Sequence, residues 1–328
     1  MAGFTRTVTI LSIDGGGIRG IIPAMILAQI ENRTGLPVYR LFDMVAGTST
    51  GGIIALGLTK PNAYGVNQYS AEQMVKLFED DGPRIFRHSF WGQIRSLDGW
   101  RDERYSSDGI DQTLQRLAGE TRLKDALTRV LVTSYDIERR DAIFFKSWLA
   151  ATNEAFDFSV RDVARATSAA PTYFQAHKVQ VGRDYYSLVD GGVVAGNPTL
   201  CALVDARDLF PGAQFFILSL GTGQARHSFS YDRAKDWGKI AWAQPVIDIV
   251  FYASNHQVDY QVKMLQKTSS SRSVSNYYRI QPHLGPDSEA MDDASSANIR
   301  RLRLLTESFI NETETDQQLQ ASARSWAA

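Results

Sequence analysis

An open α/β sheet with helices on both faces is the fold class this sequence predicts, and three observations predict it. Short apolar runs alternate with helical patterns along the chain, as in successive strand–helix units. Several chemically suggestive turns fall just after apolar runs, among them Asp14-Gly15-Gly16-Gly17, Gly47-Thr48-Ser49-Thr50-Gly51, Asp190-Gly191-Gly192 and Gly221-Thr222-Gly223. Open α/β sheets place their ligands at such strand ends. Finally, 328 residues, 44% hydrophobic and 22% charged, suffice for one large core, with no internal repeat or low-complexity linker.

Taken in order, Thr7–Ile13 reads as a buried strand, followed by a helix from about Ile21 to Asn32. Pro23 is tolerated in its first turn, where amides lack intrahelical partners. Met44-Val45-Ala46 is the next strand, and Ile53–Leu56 lies in the helix after its turn. Ser70-Ala71-Glu72-Gln73 resembles a capping box opening a helix toward Asp80. Between Asp81 and Ser107 the pattern breaks down. A helix near Ile110–Leu117 closes at Gly119, and Arg129–Ile137 with Ala142–Ser147 read as paired strands. Ser159-Val160-Arg161-Asp162 reads as a second capping box, leading a helix toward Ser168. Tyr185–Val189 is a strand; Asn197 caps and Pro198 starts a helix reaching about Leu209; Gln214–Leu220 is a strand. Helical stretches at Pro245–Gln266 and Ala294–Ile310 flank a strand around Asn276–Ile280. The expected organisation is one domain, residues 1–312, with a polar tail, 313–328.

Net charge is -1, so no global field recruits nucleic acid or anionic lipid. The single cysteine, Cys201, excludes an internal disulfide and fits a reducing compartment. Thr7–Ile13 is too short for a signal-peptide core, and no apolar run approaches the roughly 20 residues a bilayer span needs. The expected location is cytoplasmic, with any lipid met from the aqueous side.

Gly47-Thr48-Ser49-Thr50-Gly51 sits between two apolar runs, the strand–turn–helix setting of a G-x-S-x-G nucleophile elbow. Asp14-Gly15-Gly16-Gly17-Ile18-Arg19-Gly20 contains G-x-G-x-x-G and has two readings. A dinucleotide-binding turn needs an acid at the end of the second strand. Asp43 lies at that strand's start instead, and Gly47-Thr48-Ser49 occupies the required place. The rival is an oxyanion hole, since consecutive glycine amides at a helix N-terminus converge on a developing negative charge. Arg19 could add charge beside it, bind a phosphate or form a surface salt bridge.

Ser49 needs a base. Of His88, His177, His227, His256 and His283, none has a local signature; His227, after the 221–223 turn, is the triad candidate. Asp190 is the alternative, because a carboxylate in a dry site can take the serine proton directly.

These motifs stand in the order of the patatin-like phospholipase family, which the sequence resembles over most of its length. Supporting stretches are Thr167-Ser168-Ala169-Ala170-Pro171-Thr172-Tyr173-Phe174, Leu220-Gly221-Thr222-Gly223 and Met291-Asp292-Asp293-Ala294-Ser295. The resemblance implies a three-layer α/β/α sandwich, a modified α/β-hydrolase fold with a mostly parallel sheet. It implies acyl-ester hydrolysis by a Ser-Asp dyad, with no metal and no cofactor. Carried over by motif, Ser49 is the nucleophile and Asp190 the base. Gly15, Gly16 and Gly17 are the oxyanion donors, with Arg19 supporting the loop, and Gly47, Gly51, Gly191 and Gly192 complete the motifs. The implied partner is a phospholipid or other acyl-ester lipid at a membrane surface. Some bacterial relatives of this compact size are membrane-degrading effectors switched on by cyclic nucleotides, but no motif here marks a nucleotide pocket.

The irregular 81–107 stretch mixes Phe86, Phe90, Trp91, Trp100 and Tyr105 with Arg84, Arg87, Arg95, Arg101 and Arg104. That composition suits a lid or a membrane contact, and equally a loop covering the core.

Overall fold

Among the described residues, eight strands join in one sheet: β1 (Thr7–Ile13), β2 (Met44–Gly47), β3 (Arg129–Asp136), β4 (Asp141–Lys146), β5 (His177–Val181), β6 (Asp184–Asp190), β7 (Gln214–Leu220) and β8 (Val274–Ile280). Their order is β5-β6-β3-β2-β1-β7-β8, with β4 also paired to β3. This computed structural model describes residues 6–86, 107–225, 228–268 and 274–312. The expected tail, 313–328, lies outside them.

The centre of the sheet, β3-β2-β1-β7-β8, is parallel; β4, β6 and β5 pair antiparallel at one side. Alternation along β1 sends Leu11 and Ile13 to one core and Val8 and Ile10 to the other. The first core packs against helices Ile21–Thr34, Thr50–Thr59, Ala71–Ile85, Ser107–Ala118, Val160–Thr167 and Ser296–Asn311. The second packs against Thr199–Leu209 and Lys239–Thr268. Sheet between two helix layers is the expected three-layer α/β sandwich.

The short second strand decides where chemistry can happen. Residues Leu131 and Val132 of β3 pair with β4 on one edge, leaving the other edge to β2, whose last pair is Gly47 with Val132. Beyond that point the edge is open, and β6 enters it antiparallel, pairing Asp190 with Ser134. One strand thus positions the ends of both β2 and β6, and the turns after them meet.

Several elements differ from the sequence reading. The helix expected to end near Asp80 continues through Pro83 to Ile85. Ile85 is buried against the core, and Asp81 is held by Arg116 at 2.6 Å, contacts that outweigh local pattern. The long helix starts at Lys239, with Pro245 inside it. The box at Ser70 is reciprocal, Ser70 and Gln73 each accepting from the other's amide. At Ser159 it is not: the Asp162 carboxylate accepts from the Ser159 hydroxyl and contacts His177 Nε2 at 3.0 Å. Asn197 accepts from the Thr199 amide, so the helix begins one residue later than expected.

Candidate active site

Ser49 stands between β2 and helix Thr50–Thr59 with φ 54° and ψ -124°, a left-handed backbone rare outside glycine. Conformations of this kind cost of order 1–3 kcal/mol and persist only where the surroundings over-determine them. Here they do. The Ser49 amide donates to Thr167 Oγ1 at 2.8 Å. Thr48 Oγ1 donates to the Ala195 carbonyl at 2.6 Å, so its contact with Thr133 Oγ1 at 2.7 Å must be received from Thr133. Gly47 and Gly51 allow the close approach: a Cβ at the first would strike the Gly51 carbonyl, and at the second the Ile13 carbonyl.

Ser49 Oγ lies 2.6 Å from Asp190 Oδ2. The other carboxylate oxygen, Oδ1, accepts from the Gly192 amide at 2.7 Å, and Gly191 packs against Thr133. Asp190 is fully buried, and burial pushes its pKa up to about 7 against the weaker opposite effect of those two hydrogen bonds. Its ionisation is thus moved from the acidic range toward neutral pH.

The glycine loop follows β1. Its Gly15 amide donates to the Gly196 carbonyl at 3.0 Å, which removes that amide from the expected set of oxyanion donors. The amides of Gly16 and Gly17 carry no hydrogen bond among the described residues. Gly17 has φ +59° and lies so close to the Met291 carbonyl that no Cβ fits. Arg19 is buried, not a surface salt bridge: Nε donates to the Gly16 carbonyl at 3.3 Å, and Nη1 to the Glu289 carbonyl at 3.1 Å and to the Tyr252 hydroxyl. Behind the loop Asp14 pairs with Arg279 of β8, whose Nη1 also donates to Ser219 Oγ at 2.9 Å.

Ser49 and Asp190 line the polar end of a cleft. Ile53, Leu77, Phe78, Ile85, Phe86, Ile110, Leu114, Tyr173, Phe174 and Phe251 form its walls, and Asp190 is the one charged lining residue among those described. A site that is apolar with a few convergent polar groups at one end suits a largely hydrocarbon substrate. Helices Ala71–Ile85 and Ser107–Ala118 both contribute, so the ends of the irregular 81–107 stretch border the cleft. Its remaining residues, 87–106 with Phe90 and Trp91, lie outside the described residues, as do His88 and His227.

His177, His256 and His283 do not line the cleft. His177 contacts Asp162, and His256 lies 3.4 Å from Gln224 Nε2. Asp43 is committed to β1, accepting from the Thr9 amide and hydroxyl and pairing with Arg6, which leaves it no role at a nucleotide. No group of three or more metal-ligating residues exists among the described residues. No described helix is long and apolar enough to cross a membrane. Sequence reasoning missed Thr167, Thr48, Arg279 and Phe251 as parts of the site. Thr167 and Thr48 sat within quoted motifs; Arg279 and Phe251 had no local mark.

A family model for patatin-like phospholipases matches residues 11–203, over half the chain. The chain belongs to the patatin-like phospholipase family. Among its relatives, "Patatin-like protein 1" of Oryza sativa subsp. indica is 34% identical, covering 90% of this chain and 80% of that protein. "Patatin-like protein 4" of Arabidopsis thaliana is 31% identical, over 94% and 84%. "Probable inactive patatin-3-Kuras 1" of Solanum tuberosum is 33% identical, over 94% and 88%. Patatin-like ancestry places this chain with lipid acyl hydrolases. VipD of Legionella pneumophila matches in structure at TM-score 0.33 and 12% identity, covering 93% of this chain and 67% of that one.

Proposed function

We propose that the chain hydrolyses carboxylic esters of membrane lipids, as a phospholipase A or lysophospholipase does, through Ser49, Asp190 and a covalent acyl-enzyme. The observation that carries this reading is the 2.6 Å contact between Ser49 Oγ and a buried Asp190 carboxylate at the polar end of an apolar cleft. Asp190 takes the Ser49 proton as Oγ attacks the ester carbonyl. The negative charge moves to the carbonyl oxygen, where the Gly16 and Gly17 amides donate to it. The Thr50 amide, first in its helix, is a further donor of the kind elbows offer. Loss of one such donor costs roughly 10²–10³ in rate.

As the tetrahedral adduct collapses, Asp190 returns the proton to the leaving alcohol oxygen. Water then gives its proton to the same carboxylate and attacks the acyl-enzyme. The fatty acid leaves, and the proton passes back to Ser49. The Arg19 guanidinium supports the reading by bracing the Gly16 carbonyl, which orients the loop. Acyl chains in the cleft would gain about 0.8 kcal/mol per buried methylene.

A fluorophosphonate probe followed by mass mapping tests the proposal: label on Ser49 is expected, and a folded, active enzyme unlabelled there refutes it. A histidine triad is tested by His227→Ala, which should leave turnover intact. No observation favours a cyclic-nucleotide activator or a dinucleotide, and neither belongs to this reading.

A further inference from the structure

We propose that Thr167 is a positioning residue for the nucleophile: its hydroxyl holds the backbone of Ser49 and thereby sets the approach of Ser49 to Asp190. This rests on the reading of Ser49 as nucleophile. Thr167 is fully buried at the end of helix Val160–Thr167, and its Oγ1 accepts from the Ser49 amide at 2.8 Å. That amide belongs to the strained residue itself, where a lost tether is least tolerated.

The turn after Thr167 holds the other partner as well. The Asp190 amide donates to the Ala169 carbonyl at 3.0 Å. Residues 167–169 therefore bind both backbones whose side chains must meet, and the Thr167 hydroxyl is the only side-chain contribution to that clamp. The methyl of Thr167 has a separate task. A Cβ on Gly52 would come within 2.9 Å of Thr167 Cγ2, so the methyl packs directly on the elbow helix. Meanwhile the helix end does not depend on Thr167, because Ser168 Oγ donates to the Ala164 carbonyl at 2.7 Å. Removing the hydroxyl should move the nucleophile more than it weakens the helix.

The test compares Thr167→Val, which keeps the methyl position without an acceptor, with Thr167→Ser, which keeps the acceptor. Thr167→Ala serves as the match for Thr167→Ser, since both lack the methyl and differ in the hydroxyl; it decides the matter if the valine variant does not fold. Rates are measured on a soluble ester across pH. For Thr167→Val we expect kcat to fall about tenfold with KM within about twofold, as for a misplaced group and not a lost binding contact. The acid limb of its pH profile should also move upward, because the Ser49 hydroxyl bond favours ionised Asp190. Thr167→Ser should stay within about threefold of the parent. The proposal is overturned if Thr167→Val keeps both kcat and the acid limb, or if Thr167→Ser loses as much as Thr167→Ala. A fully active Ser49→Ala would instead overturn the nucleophile reading beneath it, which separates the two failures.

Discussion

Replacing Asp190 with Asn should sharply lower turnover and, at the same time, stabilise the protein above neutral pH. An amide of the same shape can still accept from the Gly192 amide and meet Ser49 Oγ, so the geometry survives while the base is lost. Activity should fall by about 10²–10⁴. The stability effect follows from the pKa raised from 3.8 to about 7 by burial. Between those values the folded protein keeps a proton that the unfolded chain has released, so stability falls as pH rises through this window and levels off above it. At 1.36 kcal/mol per pH unit the interval amounts to about 4 kcal/mol. Asn carries no such penalty. From pH 5 to pH 8 the stability of Asp190→Asn should therefore gain on the parent by about 3 kcal/mol, or roughly 4 °C in melting temperature for a chain of 328 residues. Calorimetry at the two pH values, beside a pH profile of kcat/KM whose acid limb is centred near 7, measures both halves. An acid limb near 4, or equal melting shifts at both pH values, would refute the argument from burial.

Three further outcomes are expected. Gly17→Ala must adopt φ +59° and drive its methyl into the Met291 carbonyl, so it should lower kcat more than KM in steady-state assays. Arg279→Met leaves the buried Asp14 carboxylate unpaired and should cost about 3–5 kcal/mol in denaturant unfolding. In a series of p-nitrophenyl esters, kcat/KM should rise roughly fourfold per added methylene until the cleft is full, from about 0.8 kcal/mol each; a flat series would argue against the cleft as the acyl site.

Most of the strands were legible, because buried apolar runs ending in glycine turns have few other uses. β5 was not: only Val179 among its five residues is buried, so it offers no apolar run. The end of helix Ala71–Ile85 was hidden for the opposite reason, since Pro83 and Gly82 look like breakers until Ile85 and Phe86 are seen packed. Within the site, Ser49, Asp190 and the glycine loop stood in recognisable turns. That Gly15 spends its amide on Gly196 could not be read, because the partner lies 181 positions further along the chain.

The chemical parts are written locally in the chain: a serine in a strand–turn–helix elbow, a carboxylate closing a strand, and glycine amides at a helix start. Local constraints on backbone and turn chemistry are written in neighbouring residues, so they can be read there. The tertiary structure alone decided which parts meet. β2 stops at Gly47, β6 takes the vacated edge of β3, and Ser49 and Asp190, 141 positions apart in the chain, close to a 2.6 Å contact. The raised pKa of Asp190 was decided there too, since desolvation is a property of everything packed around it and of no residue in its motif.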